Sequence, residues 1–194
     1  MNEPELMNTG DWFGTATGRV VYALSPDIAQ IDFEDIALAL AKQCRFAGHV
    51  RRNVWHYSVA QHSVLVSYAC HPEHALIGLL HDAAEAYIQD LIRPVKYSLG
   101  PEYLEAERRW ALAIGVRFRL GSQLAELPDD VKLADEALLA TERRDLVEHR
   151  DRPWCLRAEP LPERIEPWAA EHAYNQFHGR FGQLWKQLHG SFDY

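Results

Sequence analysis

The chain has few of the features that mark a secreted, membrane-spanning or polymer-coating protein. Its three cysteines, Cys44, Cys70 and Cys155, are odd in number, far apart and without a CxxC, so no disulfide framework is expected. Apolar runs are short and broken by His, Asp or Gly, which excludes a bilayer-crossing stretch of ~20 apolar residues. Met1 to Gly10 carry Glu3 and Glu5 in place of a basic patch and an apolar core. No signal peptide is therefore expected, and the expected location is cytoplasmic. Positive charge is in the minority, with 20 Lys and Arg against 28 Asp and Glu and a net charge of −8. That balance argues against a nucleic-acid polymer as partner, although a local Arg pocket can still hold a small anion. Internal repeats and low-complexity tracts are absent as well.

What is present is an ordinary globular composition, 47% hydrophobic and 25% charged over 194 residues. Residues 1–194 are read as one domain. A chain of this length buries roughly 70% of the surface its unfolded form exposes, so folding alone requires no disulfide or structural metal.

The periodicity predicts an all-α bundle of six or seven helices behind a short irregular or β segment at residues 1–30. A helical core spans 32–150 and a packing helix 166–190. Trp12–Ala23 reads as a loop or a short strand pair. Asp32 is a plausible N-cap for a helix reaching about Gln43, and Ser58 for one reaching about Cys70. Arg45 to Tyr57 reads as a loop. Pro72 opens a helix from Glu73 to about Ala86 that is apolar nearly all round and hence central. Pro94, Gly100 and Pro101 punctuate a loop before the amphipathic helix Glu102–Ile114. Pro128 starts a helix to about His149, and Trp168 to Leu188 forms the last one. Its Phe177, Phe181 and Trp185 suit either the core or a subunit interface, the core being preferred.

Polar residues interrupt the apolar faces of these helices. His62 shares the stripe of Val59 and Val66, His81 and Asp82 continue that of Ile77 and Leu80, and Asp135 sits on that of Val131 and Leu138. Burying an unpaired charge costs several kcal/mol, so each requires a partner. One divalent cation serves all four. Two imidazoles and two carboxylates suit Mn²⁺, Co²⁺, Fe²⁺, Ni²⁺ or Zn²⁺, with Mg²⁺ also admissible. Glu85, four residues after His81 and three after Asp82, hangs on the same face, where it can orient or deprotonate a water. The ordinary structural alternative is a set of hydrogen-bonded core residues, with Arg143 or Arg144 pairing Asp135. Among the other histidines, His71, His74, His149, His172, His178 and His189 are read as structural, while His49 and His56 lie in the loop facing the site.

The order His62, His81-Asp82, Asp135 resembles the HD superfamily of metal-dependent phosphohydrolases. Ala60-Gln61-His62-Ser63 is similar to that family's Ser-Glu-His-Ser. His81-Asp82-Ala83-Ala84-Glu85, Asp90-Leu91 and Pro94-Val95-Lys96-Tyr97 are similar to the corresponding run in bacterial 5′-deoxynucleotidases. The resemblance covers about half the chain. It implies an HD-type helical fold, with His62, His81, Asp82 and Asp135 as metal ligands and Glu85 as the catalytic carboxylate. It further implies Arg45 on the phosphate and Phe46 beside the sugar, where the deoxynucleotidases have Trp. Asp90 would lie on the 3′-hydroxyl and Lys96 near the phosphates. The expected activity is release of phosphate from deoxynucleoside monophosphates by a homodimer or higher homo-oligomer.

The sequence departs from that pattern at several points. The Arg45–His62 spacing is longer, Gln89 replaces a Gly, and Ile92-Arg93 replaces Pro-Thr. Arg93, Arg51 and Arg52 are either solvated surface charge or anchors for a longer phosphate chain. The latter would fit a deoxynucleoside triphosphate triphosphohydrolase of the dATP type. A third reading, from another class, is a non-catalytic module whose helices a metal merely staples.

Overall fold

Capping chemistry starts the helices where the local sequence places it. In the computed structural model, which describes residues 11–148 and 151–190, Asp32 accepts from the Glu34 N–H and opens α1 (Phe33–Lys42). The Ser58 hydroxyl accepts from the Gln61 N–H at 3.1 Å and opens α2 (Val59–Ala69). Each side chain satisfies one of the backbone donors that a helix start leaves unpaired. A single 3₁₀ turn at Pro72–His74 leads into α3 (Ala75–Leu80), followed by α4 (Glu85–Ile88), α5 (Arg93–Leu99) and α6 (Pro101–Arg117). Pro128 precedes α7 (Asp129–Asp145), and α8 runs Ala170–His189. Among the described residues the chain is mostly helical, with one antiparallel pair, β1 (Trp12–Gly14) and β2 (Val20–Tyr22), ahead of the helices. No described helix is long and apolar enough to cross a membrane. The leader expectation at residues 1–10 and His149 lie outside the described residues.

Two expectations are corrected. The stretch around Pro94 is the helix α5 and not a loop, because Pro94 occupies the first turn, where its missing N–H has no partner to lose. The single helix expected from Glu73 to Ala86 is interrupted. His81 to Ala84 are turn residues between α3 and α4, held by tight bonds such as Ala83 N–H to Leu80 O at 2.9 Å and Glu85 N–H to Asp82 O at 3.0 Å. This overwinding, of the 3₁₀ type, re-aims the side chains that leave it.

The centre of the domain is α2 packed on α3, α7, α8 and α1. All six residues of α3 are buried. Gly78 allows this close approach, since a Cβ there would come within 2.8 Å of Cys70 Sγ and 3.3 Å of Ser67 Cα. Phe177, Phe181 and Trp185 of α8 are buried in the core, with Phe181 stacked on Phe33 at 3.9 Å between centroids. The segment from 151 to 169 is laid against the bundle by specific bonds. Arg144 donates to the Leu161 and Glu163 carbonyls, and Gln61 bridges the Glu166 carbonyl and the Trp168 N–H.

Candidate metal centre

Three elements deliver the four expected ligands to one point: α2 carries His62, the turn after α3 carries His81 and Asp82, and α7 carries Asp135. His62 Nε2 lies 3.3 Å from His81 Nε2, 3.1 Å from Asp135 Oδ1 and 3.6 Å from Asp82 Oδ2. His81 Nε2 lies 3.2 Å from Asp82 Oδ2 and 3.9 Å from Asp135 Oδ1. His62, His81 and Asp135 offer ligand atoms all within 4.8 Å of one another, a group that could hold a metal ion.

The hydrogen bonds behind these residues decide which way their lone pairs point. His81 Nδ1 lies 2.8 Å from the Gly78 carbonyl, which only accepts, so Nδ1 carries a proton and Nε2 is the nitrogen left facing the centre. His62 Nδ1 lies 2.7 Å from Glu142 Oε1, which likewise turns His62 Nε2 inward. Glu142 is fully buried, and it also accepts from the Tyr57 hydroxyl at 2.7 Å and pairs with Arg45 Nε at 3.3 Å. Burial opposes its ionisation, but Arg45 and His62 outweigh that and hold its pKa below the usual carboxylate range.

Two imidazole Nε2 atoms facing each other between two carboxylates call for positive charge among them, whether a proton or a metal cation. Burial and the Arg45 charge oppose protonation of His62, yet Glu142 and Asp135 lift its pKa to about 9. Asp82 and Asp135 are both held low against the cost of burial, chiefly by the two histidines. A divalent cation fits this donor set, with Glu142 and Gly78 as the outer groups that fix the imidazoles.

Asp135 is thus paired with His62, whereas Arg144 pairs with Asp145 and Arg143 donates to the Arg152 carbonyl and covers the Trp154 ring. Arg45, at the start of a 3₁₀ turn (Arg45–Gly48), donates to Asp82 Oδ2 at 3.3 Å and so reaches the centre from behind. Phe46 and Ala47 beside it are left-handed, with φ of 56° and 50°. The Phe46 ring lies between the Arg45 guanidinium and Trp154, at 5.6 and 6.0 Å. Glu85 is 5% exposed, and its Oε2 has no hydrogen-bond partner. Burial, Asp82 and Asp90 push its pKa well above the carboxylate range. Gln43 joins Glu85 to Asp90, donating to the Glu85 carbonyl at 2.9 Å and accepting the Asp90 N–H at 3.2 Å. Between them Gln89 has a φ of 75°, a region that favours glycine. Lys96 is bound to Glu107 at 2.6 Å.

His56 has a structural use, spanning the Ala41 carbonyl and Cys44 Sγ, while His49 is exposed. His71 and His74 are both tied to Asp130. Arg51 is occupied by the Arg144 carbonyl and Glu148, and Arg52 and Arg93 are exposed.

Sequence reasoning missed Glu142, Tyr57 and Gln43. Glu142 carried a usable signal, lying seven residues after Asp135, two turns along one helix face. It missed the neighbouring cleft too. About 530 Å³ in volume, the cleft is floored by His81, Asp82 and Glu85 and walled by Leu104, Glu107, Arg108 and Ala111 of α6, residues 124–127 and Lys132. Arg45, Phe46, Asp90 and Lys96 are not part of its lining.

No family model matches the chain. It is 37% identical over 133 residues to the uncharacterized protein RCAP_rcc00048 of Rhodobacter capsulatus, covering 65% of this chain and 66% of that one. It is 39% identical over 173 residues to the uncharacterized protein YfdR of Escherichia coli K12, covering 88% of this chain and 93% of the relative. With that identity along nearly the whole of both chains, the protein belongs to the same family as YfdR.

Proposed function

We propose that this protein is a metal-dependent phosphohydrolase of the HD type that releases phosphate from nucleotides, foremost deoxynucleoside 5′-monophosphates. One observation carries the reading. Two imidazole Nε2 atoms, 3.3 Å apart and with their Nδ1 sides fixed from behind, face two carboxylates beside a buried glutamate oxygen that has no partner. A site built only to hold helices together has no need of that glutamate.

His62, His81, Asp82 and Asp135 would hold the ion, which when bound supplies Lewis acidity toward water and a phosphate oxygen. Glu85 takes the proton of the attacking water. Burial beside Asp82 and Asp90 raises its pKa and so makes its carboxylate a stronger base than a solvated one. As the new P–O bond forms and the ester P–O bond breaks, the proton taken up by Glu85 passes to the departing alkoxide, which leaves as the alcohol. Arg45, whose guanidinium offers several donors, steadies the charge growing on the phosphoryl oxygens. Gln43 keeps Glu85 and Asp90 in register, so Asp90 can accept from a hydroxyl of the sugar.

The test is phosphate release by the purified protein from a nucleotide panel with Mn²⁺ or Co²⁺. Nucleoside plus inorganic phosphate from monophosphates is expected, and Asp82→Ala should abolish it. Inactivity on every nucleotide, or full activity of Asp82→Ala, overturns the reading. Nucleoside plus tripolyphosphate would instead identify a triphosphohydrolase.

A further inference from the structure

The connection from 151 to 169 contains neither helix nor strand, and a structureless stretch of that length inside a compact domain is uncommon unless it has a use. Pro153, Pro160, Pro162 and Pro167 restrict its backbone, which lowers the entropy lost when it lies down on the bundle. It is anchored on α2 and α7, the two helices that carry His62 and Asp135. On α2, Gln61 donates to the Glu166 carbonyl and accepts from the Trp168 N–H, both at 2.8 Å. On α7, Glu136 accepts from the Arg157 N–H at 2.7 Å and from Arg157 Nε at 3.1 Å, and the Thr141 hydroxyl accepts from the Leu161 N–H at 2.7 Å.

Each of these anchors adjoins a residue of the metal centre. Gln61 precedes His62, Glu136 follows Asp135, and Thr141 precedes Glu142, the carboxylate that holds His62 from behind. Gln61 and Thr141 are buried, and a close-packed helix does not shift at one residue without carrying the next with it. A segment tied to both helices therefore fixes the separation across which His62 Nε2 and Asp135 Oδ1 stand 3.1 Å apart. A metal centre needs its donors within about 0.5 Å of the productive geometry, a stricter demand than the burial of apolar side chains makes.

We propose that the 151–169 segment is a clamp that sets the spacing of the metal ligands, with Gln61 as its positioning residue on α2 and Glu136 and Thr141 as those on α7. It rests on the reading of His62 and Asp135 as ligands, and on no substrate. The coupling is reciprocal: the factor in metal affinity that the seated clamp supplies is the factor by which bound metal resists its release. The test uses the full chain and the metal alone. Gln61→Leu removes both bonds of the amide with little change in size. Calorimetric titration of this folded variant should show Mn²⁺ affinity lower by about tenfold or more, and the visible absorption of its Co²⁺ form, which follows ligand geometry, should change. A segment that only stabilised the fold would lower the urea midpoint of the metal-free protein and move neither. Thr141→Val should act in the same direction and Thr141→Ser, which keeps the acceptor for Leu161, should restore the affinity. That pair carries the test if Gln61→Leu does not fold.

Wild type gives the reciprocal measurement without any substitution. Arg157 and Arg164 are exposed on the segment, and tryptic cleavage after them follows the population in which it is released. Saturating Mn²⁺ should slow that cleavage about tenfold more than cleavage after Arg109 in α6, which awaits wider unfolding. Metal affinity within about twofold of wild type in Gln61→Leu and Thr141→Val, with unchanged Co²⁺ absorption, overturns the inference. So does equal protection at Arg109, and either result leaves the phosphohydrolase reading standing. Weakened metal binding in the variants, without hydrolysis of any nucleotide by wild type, would refute that reading and keep the clamp. A wild type that binds neither Mn²⁺ nor Co²⁺ overturns both.

Discussion

Glu142 offers the sharpest trial of the physical argument, because its substitution by Gln changes charge and almost nothing else. The carboxylate has no solvent exposure and serves His62 Nδ1, Tyr57 OH and Arg45 Nε at 2.7, 2.7 and 3.3 Å. An amide can keep its oxygen toward His62 and Tyr57 only by turning its NH₂ on the guanidinium, donor against donor. Arg45 would then keep Asp82 as its one close carboxylate. Removing one partner of a buried ion pair costs about 3–5 kcal/mol, and at about 2–4 °C per kcal/mol for a chain of this size the midpoint should fall by about 6–20 °C. His62 would also exchange a carboxylate acceptor for a weaker neutral amide oxygen, so metal affinity should fall about 10–100-fold. Urea unfolding of the metal-free protein and titration with Mn²⁺ or Zn²⁺ measure the two effects separately. A double variant, Arg45→Met with Glu142→Leu, should recover much of the stability and none of the affinity. Glu142→Gln within about 1 kcal/mol of wild type, with unaltered metal binding, would refute the account of how the imidazoles are held.

Four further outcomes are expected. Mn²⁺ at about 100 times its Kd should stabilise the protein against urea by about 2.7 kcal/mol, and Asp135→Asn should remove most of that increment. Glu85→Gln should lower kcat by about 10²–10⁴-fold with little change in KM, while a KM effect alone would remove Glu85 from proton transfer. Gly115→Ala should cost about 1–3 kcal/mol by thermal melting, because a Cβ there collides with the Gly121 carbonyl. The hydrogen bond from Arg144, with the Ile165 N–H and despite partial burial, holds Asp145 below the ordinary carboxylate value. Its contribution is complete above about pH 4 and is lost as pH falls through the lower folded pKa, so Asp145→Asn should flatten the acid limb of a stability–pH curve.

The structure also shows where local rules were sufficient. Asp32 and Ser58 cap α1 and α2 as read, because a cap bond closes over two or three residues and needs nothing distant. His62, His81, Asp82 and Asp135 were legible because a polar residue in apolar phase has to be explained wherever its helix packs. Pro94 misled, since proline breaks a helix interior but suits a first turn, and the residues around it do not say which applies.

By itself, the amino-acid order determined the helical class, the starts of α1 and α2, and which four polar residues converge from separate segments. Only the tertiary structure decided what surrounds that meeting point. The Glu142 carboxylate lies 80 residues from His62 and 85 from Tyr57, and Gln43 reaches Glu85 across 42. The cleft takes its walls from α6, α7 and the loop between them. The physical reason is that periodicity and capping are short-range and repeat along the chain, whereas a buried hydrogen-bond partner or a cavity wall is whatever side chain the packing of other helices brings near.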